Sequence, residues 1–236
     1  MQIIIIGGSH SGVGKTRAAE LALQNLRNAR YAAIKLTVAD GDRGPEHDHG
    51  VGAVRLASAA GACGRGASCG VCETVSTAVP SRLISAPRAI GKVGTDTWRL
   101  AQAGALAVVW IIALRDAAAS AVAQASAALQ AKGARGILIE GTSALDWIDP
   151  RLSVMVATDP GRAWKDVARR RVRECDIVLR NLTPQPPGIL PAPPEFASAN
   201  PVVCDLGRID DPGTQWFARQ IRDVCLTTVV GESAHS

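Results

Sequence analysis

The sequence predicts an α/β fold: a mostly parallel sheet with helices on both faces. Three observations point there. Apolar runs of strand length alternate with longer segments of helical periodicity. The first run, Gln2–Ile6, passes through two glycines directly into an amphipathic segment. The chain is also rich in alanine and valine, with 47% hydrophobic but only 3% aromatic residues, a composition that lets helices lie close to a sheet.

Taken in order, Gln2–Ile6 reads as a buried strand and Thr16–Arg27 as a helix with Ala18, Leu21, Leu23 and Leu26 at its apolar positions. Tyr31–Val38 is a second strand. Regular patterning then stops, and residues 39–80 form a long insertion rich in Gly, Ala, Ser, Asp, His and Cys, of the length that usually carries function. Patterning resumes at Arg82–Ile84. A helix over Thr95–Ala103, a buried strand over Leu106–Leu114, an alanine-rich helix over Asp116–Lys132 and a strand over Gly136–Glu140 follow. Leu152–Thr158 and Asp176–Arg180 are strands, with Ala163–Glu174 a helix between them. Thr183–Pro201 carries seven prolines and is expected to lack regular structure. Pro201–Cys204 and Gly213–Cys225 close the pattern as a strand and a helix. The expected organisation is one domain over 1–181, a proline-rich linker over 182–200, and a strand and helix over 201–230 packed on the same domain.

The net charge of +5 is nearly all arginine, densest at Arg169, Arg170, Arg171 and Arg173. A helix carrying these to solvent is the plain reading. No aromatic interleaving or recognisable module speaks for DNA or RNA, and modest basicity suits a protein that holds polyphosphate. The start of the chain lacks a basic segment and a cleavage site, and Leu106–Leu114 is too short to span a bilayer, so no membrane role and a cytoplasmic setting are expected.

The chemistry concentrates after the first strand. Ser9-His10-Ser11-Gly12-Val13-Gly14-Lys15-Thr16 matches G-x-x-x-x-G-K-[ST] except that Ser9 takes the first glycine position. Glycines let backbone N–H groups turn inward around an anion, and the start of the helix adds its dipole. Lys15 is placed to reach β- and γ-phosphates and Thr16 to bind Mg²⁺. Glu140 ends an apolar strand before Gly141, where a carboxylate faces the ligand crevice of an open α/β sheet; an exposed strand-end acid is the alternative. Asp40 and Asp42 follow the second strand and are further candidates for Mg²⁺ or water. Lys35 lies inside an apolar strand, a costly place unless it is paired or meets ligand. A second phosphate contact is expected, with an edge-strand lysine as the alternative. His10 is expected to face solvent.

Cys63-x5-Cys69-x2-Cys72 lies in the insertion, where thiolates suit Zn²⁺ or an iron–sulfur cluster, with His47, His49 or a cysteine from a second subunit as a fourth ligand. Inert cysteines in an alanine-rich loop are the competing reading. Cys175, Cys204 and Cys225 fall in apolar elements and are expected in the core.

These residues resemble the SIMIBI class of P-loop NTPases, and within it the MobB-like proteins of molybdopterin-guanine dinucleotide synthesis. The likeness spans roughly residues 2–181. It rests on Ser9–Thr16, Ala32-Ala-Ile-Lys35, Asp96-Thr-Trp-Arg99 with Ala101-Gln-Ala-Gly-Ala105, and Ile139-Glu140-Gly141. The resemblance implies a three-layer P-loop NTPase fold, GTP or ATP with Mg²⁺, and slow hydrolysis in the service of metal-cofactor assembly through a partner protein. It also implies a homodimer, with Lys15 and Thr16 holding phosphate and Mg²⁺, Glu140 supporting Mg²⁺, Lys35 reaching the phosphates and Asn181 near the purine. Related dethiobiotin synthetases carry a similar Glu-Gly and second-strand lysine, so a small-molecule kinase or ligase is an alternative. A nucleotide-dependent switch or metal chaperone is another. The chain departs from the MobB pattern in Leu36-Thr37 after Lys35, in the longer insertion and in the extension beyond Asn181, which points to a relative with a different task.

Overall fold

The computed structural model describes residues 1–39, 74–160, 163–183 and 190–226. Their elements run β1 Gln2–Gly8, α1 Lys15–Asn25, β2 Tyr31–Ala39, β3 Ser81–Ile84, α2 Pro87–Ile90, α3 Asp96–Gln102, β4 Val108–Leu114 and α4 Arg115–Ala131. They continue with β5 Gly136–Glu140, β6 Leu152–Ala157, α5 Asp166–Arg171, β7 Ile177–Asn181, α6 Pro194–Ser198, β8 Val202–Cys204 and α7 Pro212–Leu226. The eight strands form one sheet in the order β3-β4-β2-β5-β1-β6-β7-β8. Every neighbouring pair is parallel except β3 with β4.

The period-2 geometry of the strands sorts their side chains. Ile4 and Ile6 of β1, Ala33 of β2 and Leu138 of β5 join one apolar cluster with Leu21 and Leu23 of α1, Leu100 of α3, and Phe217 and Ile221 of α7. Ile5, Ile34, Ile137 and Ile139 join a second cluster with Ala118, Ala121, Val122, Ala125 and Leu129 of α4. The isoleucine-rich runs are buried on both faces, which is why they show no polar alternation. At Gly136 a Cβ would lie 2.4 Å from the Tyr31 ring, so the start of β5 has no room for a side chain.

Several elements differ from the sequence reading. The helix expected over Ala163–Glu174 is α5 followed by a 3-10 turn at Val172–Glu174. Lys165 ahead of it is extended, and its N–H is donated to Ser9 O at 2.8 Å, so the helix begins later. The proline-rich stretch contains α6, which starts at Pro194, a position where the missing N–H is harmless. Residues 184–189 of that stretch lie outside the described residues, as do 40–73 of the insertion. Cys204 and Cys225 are buried as expected, whereas Cys175 is half-buried. Among the described residues, no helix is long and apolar enough to cross a membrane.

The strand order reverses about β1: the chain leaves it for β2 on one side and later returns to β6 on the other. In parallel sheets such a switch point opens a crevice at the carboxyl ends of the strands. The C-terminal helix helps close the core beneath that crevice. Replacing fully buried Phe217 by alanine is therefore expected to lower unfolding free energy by about 3–5 kcal/mol. Urea titration reads this as a lower midpoint at unchanged slope; a loss under about 1 kcal/mol would contradict the packing of α7 on α1.

Candidate functional site

The β1–α1 turn is held from three sides. Ser9 N donates to Val156 O of β6 at 2.9 Å, and Ser9 O accepts from Lys165 N. Gly8 N donates to Thr142 Oγ1 at 2.9 Å, and that hydroxyl donates back to Gly8 O at 3.0 Å. Thr142 follows Glu140-Gly141, so the end of β5 is latched to the end of β1. The turn needs glycine at two places for different reasons. Gly14 caps α1 at φ +109°, a left-handed conformation, and a Cβ there would also lie 2.6 Å from Asn181 Nδ2. A Cβ on Gly8 would lie 2.6 Å from both Lys15 Cγ and Val13 Cγ1, so Gly8 is what lets the lysine fold back over the turn.

Ser9 fits at the position usually given to glycine. Among the described non-glycine residues only Arg30 and Asn200 have positive φ, so Ser9 needs no left-handed backbone. It is fully buried, and its Oγ has no hydrogen-bond partner among the described residues. Ser11 and Gly12 are exposed on the turn, with Gly12 at φ +83°, while Val13 is buried. His10 does not face solvent as expected. It is 6% exposed, with Nδ1 2.9 Å from Ser11 O and Nε2 3.1 Å from Thr158 Oγ1. A carbonyl only accepts, so Nδ1 carries the proton and, in the neutral ring, Thr158 donates to Nε2.

Lys15 Nζ donates to His10 O at 2.9 Å. Burial, then the charge of Lys165, lowers its pKa to about 7, against weaker opposing pulls from Glu140 and Asp96. Thr16 Oγ1 lies 3.0 Å from Asp96 Oδ1 and 3.1 Å from Glu140 Oε1. Lys35 Nζ lies 2.5 Å from Glu140 Oε1 and 2.7 Å from Asp96 Oδ2. Its strand is interior, between β4 and β5, so the edge-strand alternative is excluded. Burial alone would depress Lys35, but the Glu140 and Asp96 charges outweigh it and hold the ammonium above its usual range.

Five predicted residues or groups thus meet: the turn, Lys15, Thr16, Lys35 and Glu140. Asp96, quoted within a motif but not singled out as a ligand, is brought to them by α3. Thr95 caps that helix, its Oγ1 accepting from Trp98 N at 3.3 Å. Arg99 ties it to α1 by a two-pronged pair with Glu20, at 2.6 and 2.8 Å. Thr142, Thr158 and Lys165 were missed because nothing local marks them; only the Glu140-Gly141-Thr142 adjacency offered a signal. Asn181 is 3% exposed, its Nδ2 donating to Val13 O at 3.0 Å and its Oδ1 accepting from Thr183 N and Leu206 N, so in this structure it braces the turn. Asp40, Asp42, His47, His49, Cys63, Cys69 and Cys72 lie outside the described residues.

The donors suit a hard cation. Thr16, Asp96 and Glu140 offer oxygens only, and Glu140 Oε2, buried, has no hydrogen-bond partner among the described residues. Two carboxylates and a hydroxyl fit Mg²⁺, which keeps several waters, better than a metal caged wholly by protein. Among the described residues no group of three or more His, Cys, Asp or Glu is gathered for a metal.

The depressed Lys15 pKa has a stability consequence. Between about 7 and its ordinary 10.5 the unfolded chain holds a proton that the folded one has released, so stability rises with pH across this window. From pH 7 to 8.5 wild type is expected to gain unfolding free energy relative to Lys15→Met, by up to about 1.4 kcal/mol per unit. A pH-independent difference in denaturant titrations would contradict it. Comparison of this chain with protein-family models, curated proteins and solved structures gives no match.

Proposed function

We propose that the chain is a P-loop nucleoside-triphosphate-binding protein with its sheet between two helical layers, hydrolysing GTP or ATP slowly with Mg²⁺. One observation carries this reading. A glycine turn at the start of a helix and five polar groups, Lys15, Thr16, Lys35, Asp96 and Glu140, converge at the carboxyl ends of adjacent parallel strands. The buried charges among them, Lys35 and Glu140, are expensive in a fold that does not use them.

In this reading the N–H groups of the turn and the positive end of α1 bind the phosphates. No acidic residue in the first turn of α1 opposes them. Lys15 exchanges the His10 carbonyl for phosphate oxygen and takes up a proton as the anion arrives. Thr16, Glu140 and Asp96 would hold Mg²⁺, which supplies charge neutralisation on the phosphates. Water attacks the γ-phosphorus in line, its bond to the bridging oxygen breaks, and the products are nucleoside diphosphate and inorganic phosphate. A SIMIBI-class, MobB-like identity, a role in metal-cofactor assembly, a homodimer and a cytoplasmic setting extend this reading and rest on the sequence motifs.

Titration with fluorescent GTP and ATP analogues in the presence of Mg²⁺ tests it. Lys15→Ala is expected to weaken binding on the order of 100-fold while far-ultraviolet circular dichroism is unchanged. Equal affinity in the folded variant, or no nucleotide binding by wild type, would refute the proposal.

A further inference from the structure

The position of Lys35 suggests more than a phosphate contact. It sits in the interior strand β2, paired in register with Glu140 on β5 and Trp110 on β4. Its side chain is 9% exposed, and its Nζ bridges Glu140 Oε1 and Asp96 Oδ2. Thr16 has a single hydroxyl proton to share between two carboxylates, each within about hydrogen-bond reach. Lys15, the other nearby ammonium, is directed to His10 O. The bridge between the two acids is therefore Lys35, while Glu140 keeps its second oxygen, buried and without a hydrogen bond among the described residues.

We propose that Lys35 is an internal counter-ion that holds Glu140 and Asp96 together ahead of a divalent cation, making cation binding depend on the phosphates. This rests on the nucleotide reading above and assigns Lys35 a positioning role within it. The charge balance explains the dependence. Glu140, Asp96 and Lys35 together carry a single net negative charge, and Lys15 and Arg99 stand close to the same acids, so a lone divalent cation would enter beside fixed positive groups and leave the site net positive. Polyphosphate supplies the missing negative charge. Without the ammonium, the two carboxylates match a divalent cation by themselves, and the cation no longer needs nucleotide.

Lys35→Met keeps an unbranched side chain, one atom shorter, and removes the charge. Nucleotide-free protein is titrated with Mn²⁺, followed by electron paramagnetic resonance, and melted with and without Mg²⁺. The expected result is Mn²⁺ binding at least about tenfold tighter in Lys35→Met than in wild type, with a melting temperature raised by Mg²⁺ only in the variant. Lys35→Met/Glu140→Gln is expected to lose that response. If Lys35→Met folds only in Mg²⁺ and not in NaCl of equal ionic strength, the same conclusion follows. Wild type binding Mn²⁺ as tightly as Lys35→Met, or a variant that fails to fold in either salt, overturns the proposal. Nucleotide titration of the same wild-type sample is a separate readout: its failure would remove the nucleotide reading, while the cation comparison still decides the role of Lys35.

Discussion

The ion pair between Lys35 of β2 and Glu140 of β5, with Nζ and Oε1 2.5 Å apart, is the constraint around which the site is arranged. The two residues are register partners on neighbouring parallel strands, and Glu140 is at the same time the partner of Ile6 on β1. Side chains alternate faces along a strand, so a slip of one residue in either strand would send one charge to the opposite face, into the cluster packed on α4. A buried carboxylate or ammonium left alone is strongly unfavourable, while the pair largely offsets its own desolvation. The pair contributes less as net stability than as a penalty on every other register.

That register also sets the heights of the surrounding elements. With Ile6 level with Glu140, Gly8 ends β1 where the Thr142 hydroxyl can both accept from its N–H and donate to its carbonyl. Asp96 reaches the same point from α3, which is packed into the core through Leu100 and tied to α1 by Arg99 and Glu20. Within the β1–α1 turn the left-handed backbone falls on Gly12 and Gly14, and Gly8 gives space to the aliphatic part of Lys15. Rigid strands thus position a turn on which Lys15 Nζ donates to His10 O; in the proposed reading its amides and Lys15 are the part that meets the phosphates.

Much of this was readable from the chain. The glycines, lysine and threonine of Ser9–Thr16 fall in one short motif between a strand and a helix, which can be recognised without knowing the distant contacts that hold the turn. The α/β class followed from runs of β-branched residues alternating with helical periodicity. The burial of Cys204 and Cys225 followed from their apolar neighbours. Less local features were misread or missed. His10 looked like an exposed loop residue but is buried against Thr158, which is 148 residues away in sequence. Asp96, at a separation of 80 residues from Thr16, carried no spacing signal.

The sequence by itself determined the strand–turn–helix unit, the mostly parallel sheet and most of the candidate site residues, because each depends on side-chain type and short-range periodicity. Only the tertiary structure decided that β2 is interior, that Lys35 meets Glu140 and Asp96, and that Asn181 braces Val13. Those outcomes depend on strand order and register, which arise from the packing of α1, α3 and α7 into one apolar cluster of the sheet and of α4 into another. Sequence separation does not encode them, since a crossover connection leaves the spatial neighbour of each strand open until the layers are assembled.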